Sequence, residues 1–92
     1  MPRYLIEVIH ENKKESCDQA VRTFLATGSH FMTNADWGCG DDVHKAWFIA
    51  DLESKEEALR ILPPLFRENA KVIALKRFSM GTRDEIREEH QD

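Results

Sequence analysis

Apolar residues recur along this chain with two different periods, and the switches between them mark out its elements. Residues 4–11, YLIEVIHE, alternate: Tyr4, Ile6 and Val8 share one parity and Leu5, Glu7 and Ile9 the other, which predicts a strand. At Cys17 the period changes. Cys17, Ala20, Val21, Phe24 and Leu25 fall on one helical face. Ser16 with Gln19 reads as a capping box at its start, and Gly28 suits the left-handed position beyond its end. Residues 29–37 are less regular and are assigned a second strand, and Gly38 to Asp42 have the residue types of a tight hairpin turn. Residues 43–52, VHKAWFIADL, alternate again as a third strand. Ser54 with Glu57 forms a second capping box, and Ala58, Ile61, Leu62, Leu65 and Phe66 continue at helical spacing. Pro63-Pro64 interrupts that helix, because neither proline donates a backbone hydrogen bond and each restricts the residue before it. A stop near Leu62 follows, with one further turn over residues 65–68, and residues 71–78 are a fourth strand.

Strand, helix, strand, strand, helix, strand predicts an α+β fold of the ferredoxin-like βαββαβ type, a four-stranded antiparallel sheet with two helices on one face. Residues 1–81 form the single domain, and residues 82–92 an acidic, marginally ordered C-terminal tail. The parity set Tyr4, Ile6, Val8 with Ala46, Phe48, Ala50 suits the helix-covered face. The opposite face then presents Leu5, Ile9, Trp47 and Ile49, an apolar patch that points to a partner surface, with sheet-to-sheet homodimerisation its simplest cover.

The pair Trp37-Gly38, the strand end Ala50-Asp51-Leu52, then Ser54, Glu57, Leu59 and the run Leu62-Pro63-Pro64-Leu65-Phe66 resemble the muconolactone isomerase-like group of the dimeric α+β-barrel proteins. This chain carries one additional proline in the Leu-Pro-Leu-Phe ending. The resemblance covers mainly residues 37–66. It implies the ferredoxin-like fold, a homodimer or higher homo-oligomer and a pocket between sheet and helices; the group's activity is not carried over, and any enzyme activity of this chain is expected to be cofactor-free and isomerase-like. It carries over no catalytic residue.

Charge narrows the partners. The net charge of −4 sits mostly after position 82, where two basic and five acidic residues fall, so the body is close to neutral. That argues against nucleic acid, whose binding needs a basic surface. No apolar run approaches the length of a membrane span. The N-terminal residues lack the pattern of a signal peptide, and two cysteines are too few for a small secreted scaffold, so a cytoplasmic protein with free thiols is expected.

The chemically versatile side chains gather in residues 28–47. His30, Asp36, Cys39 and His44 are all of ligand type, although their spacing matches no zinc motif and there is no Cys-x2-Cys pair. The reading preferred from the sequence is a small organic molecule bound near the hairpin, and the alternative takes these residues as a metal group in a non-catalytic metal-binding or assembly module. As an organic pocket they define a site where His44, oriented by Asp36, does acid–base work, with His30, Trp37 and Phe48 as ligand-binding residues. A third possibility is that His44 only satisfies a backbone group at a strand end. Cys17 reads as a core residue, Cys39 as the more exposed thiol, and His10 as a surface residue.

Overall fold

The alternation of the first strand is realised over β1, Arg3–Ile9, in which Tyr4, Ile6 and Val8 are buried and their neighbours are not. Its antiparallel partner β3, Lys45–Asp51, buries Ala46, Phe48 and Ala50 in the same manner, with Ile6 opposite Phe48 and Val8 opposite Ala46. The computed structural model describes residues 1–78; the predicted tail 82–92 and the predicted domain end at 81 lie outside them. On the other side of β1 lies β4, Ala70–Leu75, also antiparallel, and on the other side of β3 lies a two-residue strand β2, Asp36–Trp37. The sheet order is β2-β3-β1-β4, so the chain is an α+β protein built on a four-stranded antiparallel sheet.

Four helical segments accompany the sheet among the described residues: α1 Lys14–Ala26, α2 His30–Thr33, α3 Lys55–Ile61 and α4 Pro64–Arg67. Their inward residues Ala20, Phe24, Met32, Ala58, Leu62 and Phe66 join the buried strand residues in one core. Phe24 is the hub. Its ring meets those of Trp37, Phe48 and Phe66 edge-on at centroid distances of 4.9, 6.1 and 5.4 Å.

Several local expectations are corrected. The first helix starts at Lys14, not at Ser16, and its N-cap Lys13 makes no side-chain cap, so Ser16 sits inside the first turn. Lys14 and Glu15 are good helix formers and simply extend the pattern backwards. Ser29 does not open a strand: its hydroxyl accepts from the Met32 amide and caps α2, which leaves only Asp36–Trp37 for the edge strand. Other expectations hold. Gly28 is left-handed, with φ of 68°, and Ser54 caps α3 through the Glu57 amide while Glu57 accepts from the Glu53 amide. The proline pair stops α3 as expected. Arg67 then covers the carbonyls left open, donating to Leu59 and Leu62 from Nε and to Arg60 from Nη2.

The face opposite the core carries Leu5, Trp47 and, exposed by 46, 44 and 45%, Ile9, Ile49 and Ile73. Glu7 lies among them, accepting a hydrogen bond from Trp47 Nε1 and pairing with Lys45. No helix among the described residues is long and apolar enough to cross a membrane.

Candidate metal centre

The buried parity of β1 runs Tyr4, Ile6, Val8, and its next member is His10. The buried parity of β3 read backwards runs Ala50, Phe48, Ala46, and its next member is His44. The two strands are hydrogen-bonded neighbours to this point, since the His10 amide donates to the His44 carbonyl at 3.1 Å. Both imidazoles therefore arrive at the same end of the same face, with ring centroids 5.6 Å apart. His10 is thus no surface residue. The signal that identifies it is the strand alternation, extended by one residue beyond the apolar run.

Cys39 completes the cluster, and Cys17 is bonded to it. Because α1 starts at Lys14, Cys17 lies in its first turn, above the end of β1. The hairpin between β2 and β3 brings Cys39 to the same place on a 3-10 turn, Cys39–Asp41. That turn is held by the Gly38 carbonyl, which accepts from Asp41 and Val43 at 3.0 and 2.9 Å. Gly38 has no room for a side chain, as a Cβ there would lie 2.7 Å from the Val43 carbonyl oxygen. Cys17 and Cys39 are joined as a disulfide, which corrects the expectation of free thiols: helix and hairpin, far apart in sequence, meet over the end of the sheet.

His10, Cys39 and His44 each offer a ligand atom, all within 4.8 Å of one another and all half-buried. Cys17 is not one of these three; it reaches the group only through its bond to Cys39. The His10 ring places Nε2 3.2 Å from Cys39 Sγ and Nδ1 3.1 Å from the Glu11 carbonyl. The His44 ring places Nε2 3.0 Å from the carboxylate of Asp42, a residue in the left-handed conformation at the end of the turn. Its Nδ1 is buried without a hydrogen-bond partner. Each imidazole thus has one nitrogen within hydrogen-bond distance of a carbonyl or carboxylate, while the other nitrogen faces Cys39 in His10 and is buried without a partner in His44; an anchored nitrogen is what fixes the tautomer of metal-bound histidines. A cleft of about 470 Å³ lined by His10, Ser16, Gln19 and Phe66 adjoins the His10 side of the cluster.

The four residues singled out in the hairpin region do not come together. Asp36 stands opposite Trp47 on the face away from His44, so the expected Asp36–His44 pair does not form, and Asp42 is the carboxylate that holds His44. His30, Asp36 and Phe48 line a separate cleft of about 590 Å³ with Arg3, Asp51 and Trp47. Trp37 is not in that cleft; it packs on Phe24 and, at 6.1 Å, on His10. No protein-family model matches this chain, and neither the curated proteins nor the solved structures include a match to it.

Proposed function

We propose that this protein is a non-catalytic metal-binding module that holds a divalent, borderline-soft transition ion, zinc foremost, through His10, Cys17, Cys39 and His44 in its dithiol form. Two thiolates and two imidazoles are a tetrahedral zinc donor set, whereas the sulfurs of a disulfide are poor ligands, so binding requires the pair to be reduced. The observation that carries the reading is the orphaned, buried Nδ1 of His44 in a cluster whose ligand atoms lie within 4.8 Å. A buried polar atom with no partner is costly, and an ion would satisfy it. Cobalt titration of the metal-free protein, reduced with a phosphine, tests this. One equivalent should bind with thiolate-to-metal charge transfer, and Cys39→Ser and His44→Gln should each weaken binding at least tenfold while Asp36→Asn does not. Equal binding by Cys39→Ser and wild type refutes the site.

The ferredoxin-like form of the α+β fold belongs to this proposal. Its support is the order β2-β3-β1-β4 with every pair antiparallel. So does a homodimer or higher homo-oligomer built on the apolar sheet face, supported by the exposure of Ile9, Ile49 and Ile73 there. A second reading is an isomerase-like activity on a small organic molecule, in keeping with the resemblance to the muconolactone isomerase-like group. The cleft that gathers His30, Asp36 and Phe48 supports it. Under that reading Asp36→Asn and His30→Gln abolish ligand retention, and Cys39→Ser is silent.

A further inference from the structure

Cys39 has two partners that exclude each other. Its sulfur is bonded to that of Cys17, and it is also one corner of the cluster with His10 and His44. A thiolate engaged in a disulfide has given up the electron pair that a metal would take. The centre therefore has two chemical states that the same four residues cannot adopt at once.

The two sulfurs are not equivalent. His10 Nε2 lies 3.2 Å from Cys39 Sγ, whereas no basic group is hydrogen-bonded to Cys17 among the described residues. Cys39 also sits on a hairpin turn beside Gly40, around which there is open space for a Cβ, while Cys17 is fixed in the first turn of α1. A reactive cysteine is one with a basic neighbour and access, and a resolving cysteine is one held within bonding reach of it. We infer that Cys39 and Cys17 form a redox-active pair that takes hydrogen peroxide as oxidant, with Cys39 the attacking sulfur, and that closing the pair expels the metal ion. The inference rests on the metal reading above.

The chemistry balances. The Cys39 thiolate attacks one peroxide oxygen and the O–O bond breaks, giving Cys39 sulfenic acid and hydroxide. The Cys17 thiolate then attacks the Cys39 sulfur, the S–O bond breaks, and a second hydroxide leaves. Two thiolates lose two electrons, the peroxide gains them, and with two protons the oxygen products are two waters. The metal ion, its two anionic ligands gone, is left with His10 and His44 only and dissociates. Return to the metal-binding state needs two electrons and two protons from a dithiol reductant.

The experiment starts from the reduced, zinc-loaded protein and adds hydrogen peroxide. Released zinc is followed with a chromophoric chelator, and thiol state by alkylation and intact mass. The expected result is one zinc released per disulfide formed, with dithiothreitol and zinc restoring the starting state. Cys17→Ser should accumulate a Cys39 sulfenic acid that dimedone traps, whereas Cys39→Ser should react with peroxide at least tenfold more slowly. Zinc uptake by the reduced protein without coupled release on oxidation, or trapping on Cys17 rather than Cys39, overturns this inference and leaves the metal site standing. Failure of the reduced protein to take up zinc overturns both.

Discussion

Opening the Cys17–Cys39 bond in the absence of metal should destabilise the protein by an amount that the chain connectivity sets. The two residues are 22 apart in sequence. In the chain-entropy treatment a cross-link closing a loop of that length removes freedom from the unfolded chain worth about 3.4 kcal/mol at 25 °C. For a domain of this size each kcal/mol moves the melting temperature by roughly 4–8 °C, so reduction should lower Tm by on the order of 20 °C. Zinc at a thousand times its Kd returns about 4 kcal/mol, because it binds the folded chain and not the unfolded one. Thermal unfolding followed by circular dichroism on oxidised, reduced metal-free and reduced zinc-loaded protein should place the second sample well below the other two. Cys39→Ser should not respond to reductant and should gain less from zinc than wild type. Identical Tm values for the oxidised and the reduced metal-free protein would refute the claim that this bond ties α1 to the hairpin. A reduced protein whose Tm ignores zinc would refute the metal centre.

Three further outcomes follow from the packing. Phe24→Ala removes the ring on which Trp37, Phe48 and Phe66 converge, and urea unfolding should register a loss of about 3–5 kcal/mol; a loss below about 1.5 would mean the hub collapses around the gap. Ser54→Ala should cost about 1 kcal/mol and Ser16→Ala much less, since of these two serines Ser54 alone caps a helix; equal losses would contradict the observed start of α1. Trp47→Glu places a second carboxylate beside Glu7 on the apolar sheet face and should convert an oligomer to monomers in sedimentation without loss of helicity. A wild type that already sediments as a monomer at micromolar concentration removes the case for pairing through that face.

Much of the fold was legible because alternation and capping are local. The strands around Ile6 and Phe48, the Ser54 cap, the left-handed Gly28 and the break at Pro63-Pro64 each depend on a few adjacent residues. Ser16 and Ser29 misled in opposite ways: Ser16 has the pattern of a cap but lies inside a helix that its neighbours extend backwards, whereas Ser29 does cap a helix, one too short for its periodicity to show. The site was legible in part. His44 shares the parity of Ala46 and Phe48 on β3, and the same parity applied to β1 points to His10, which a polar flanking sequence disguised. Asp36 is close to His44 in sequence but one strand register puts it on the opposite face. The Cys17–Cys39 contact was not legible, because it depends on where a helix of one half of the chain sits over the hairpin of the other.

The strand β2 is only two residues long, and it is the part of the sheet that carries the hairpin. A segment so weakly laddered is a natural unit of local opening, able to detach while the central strands stay paired. The link from Cys39 to α1 is what denies it that motion. Amide hydrogen exchange at Gly38, Asp41 and Val43, whose amides all donate within the hairpin or to β3, would then report the state of the link directly. These amides should be slow when the segment is tied by sulfur or by an ion and fast when it is tied by neither, while Ile6 and Phe48 exchange only on global unfolding in every case. Segmental mobility in this protein would then be set by the chemical state of two sulfur atoms.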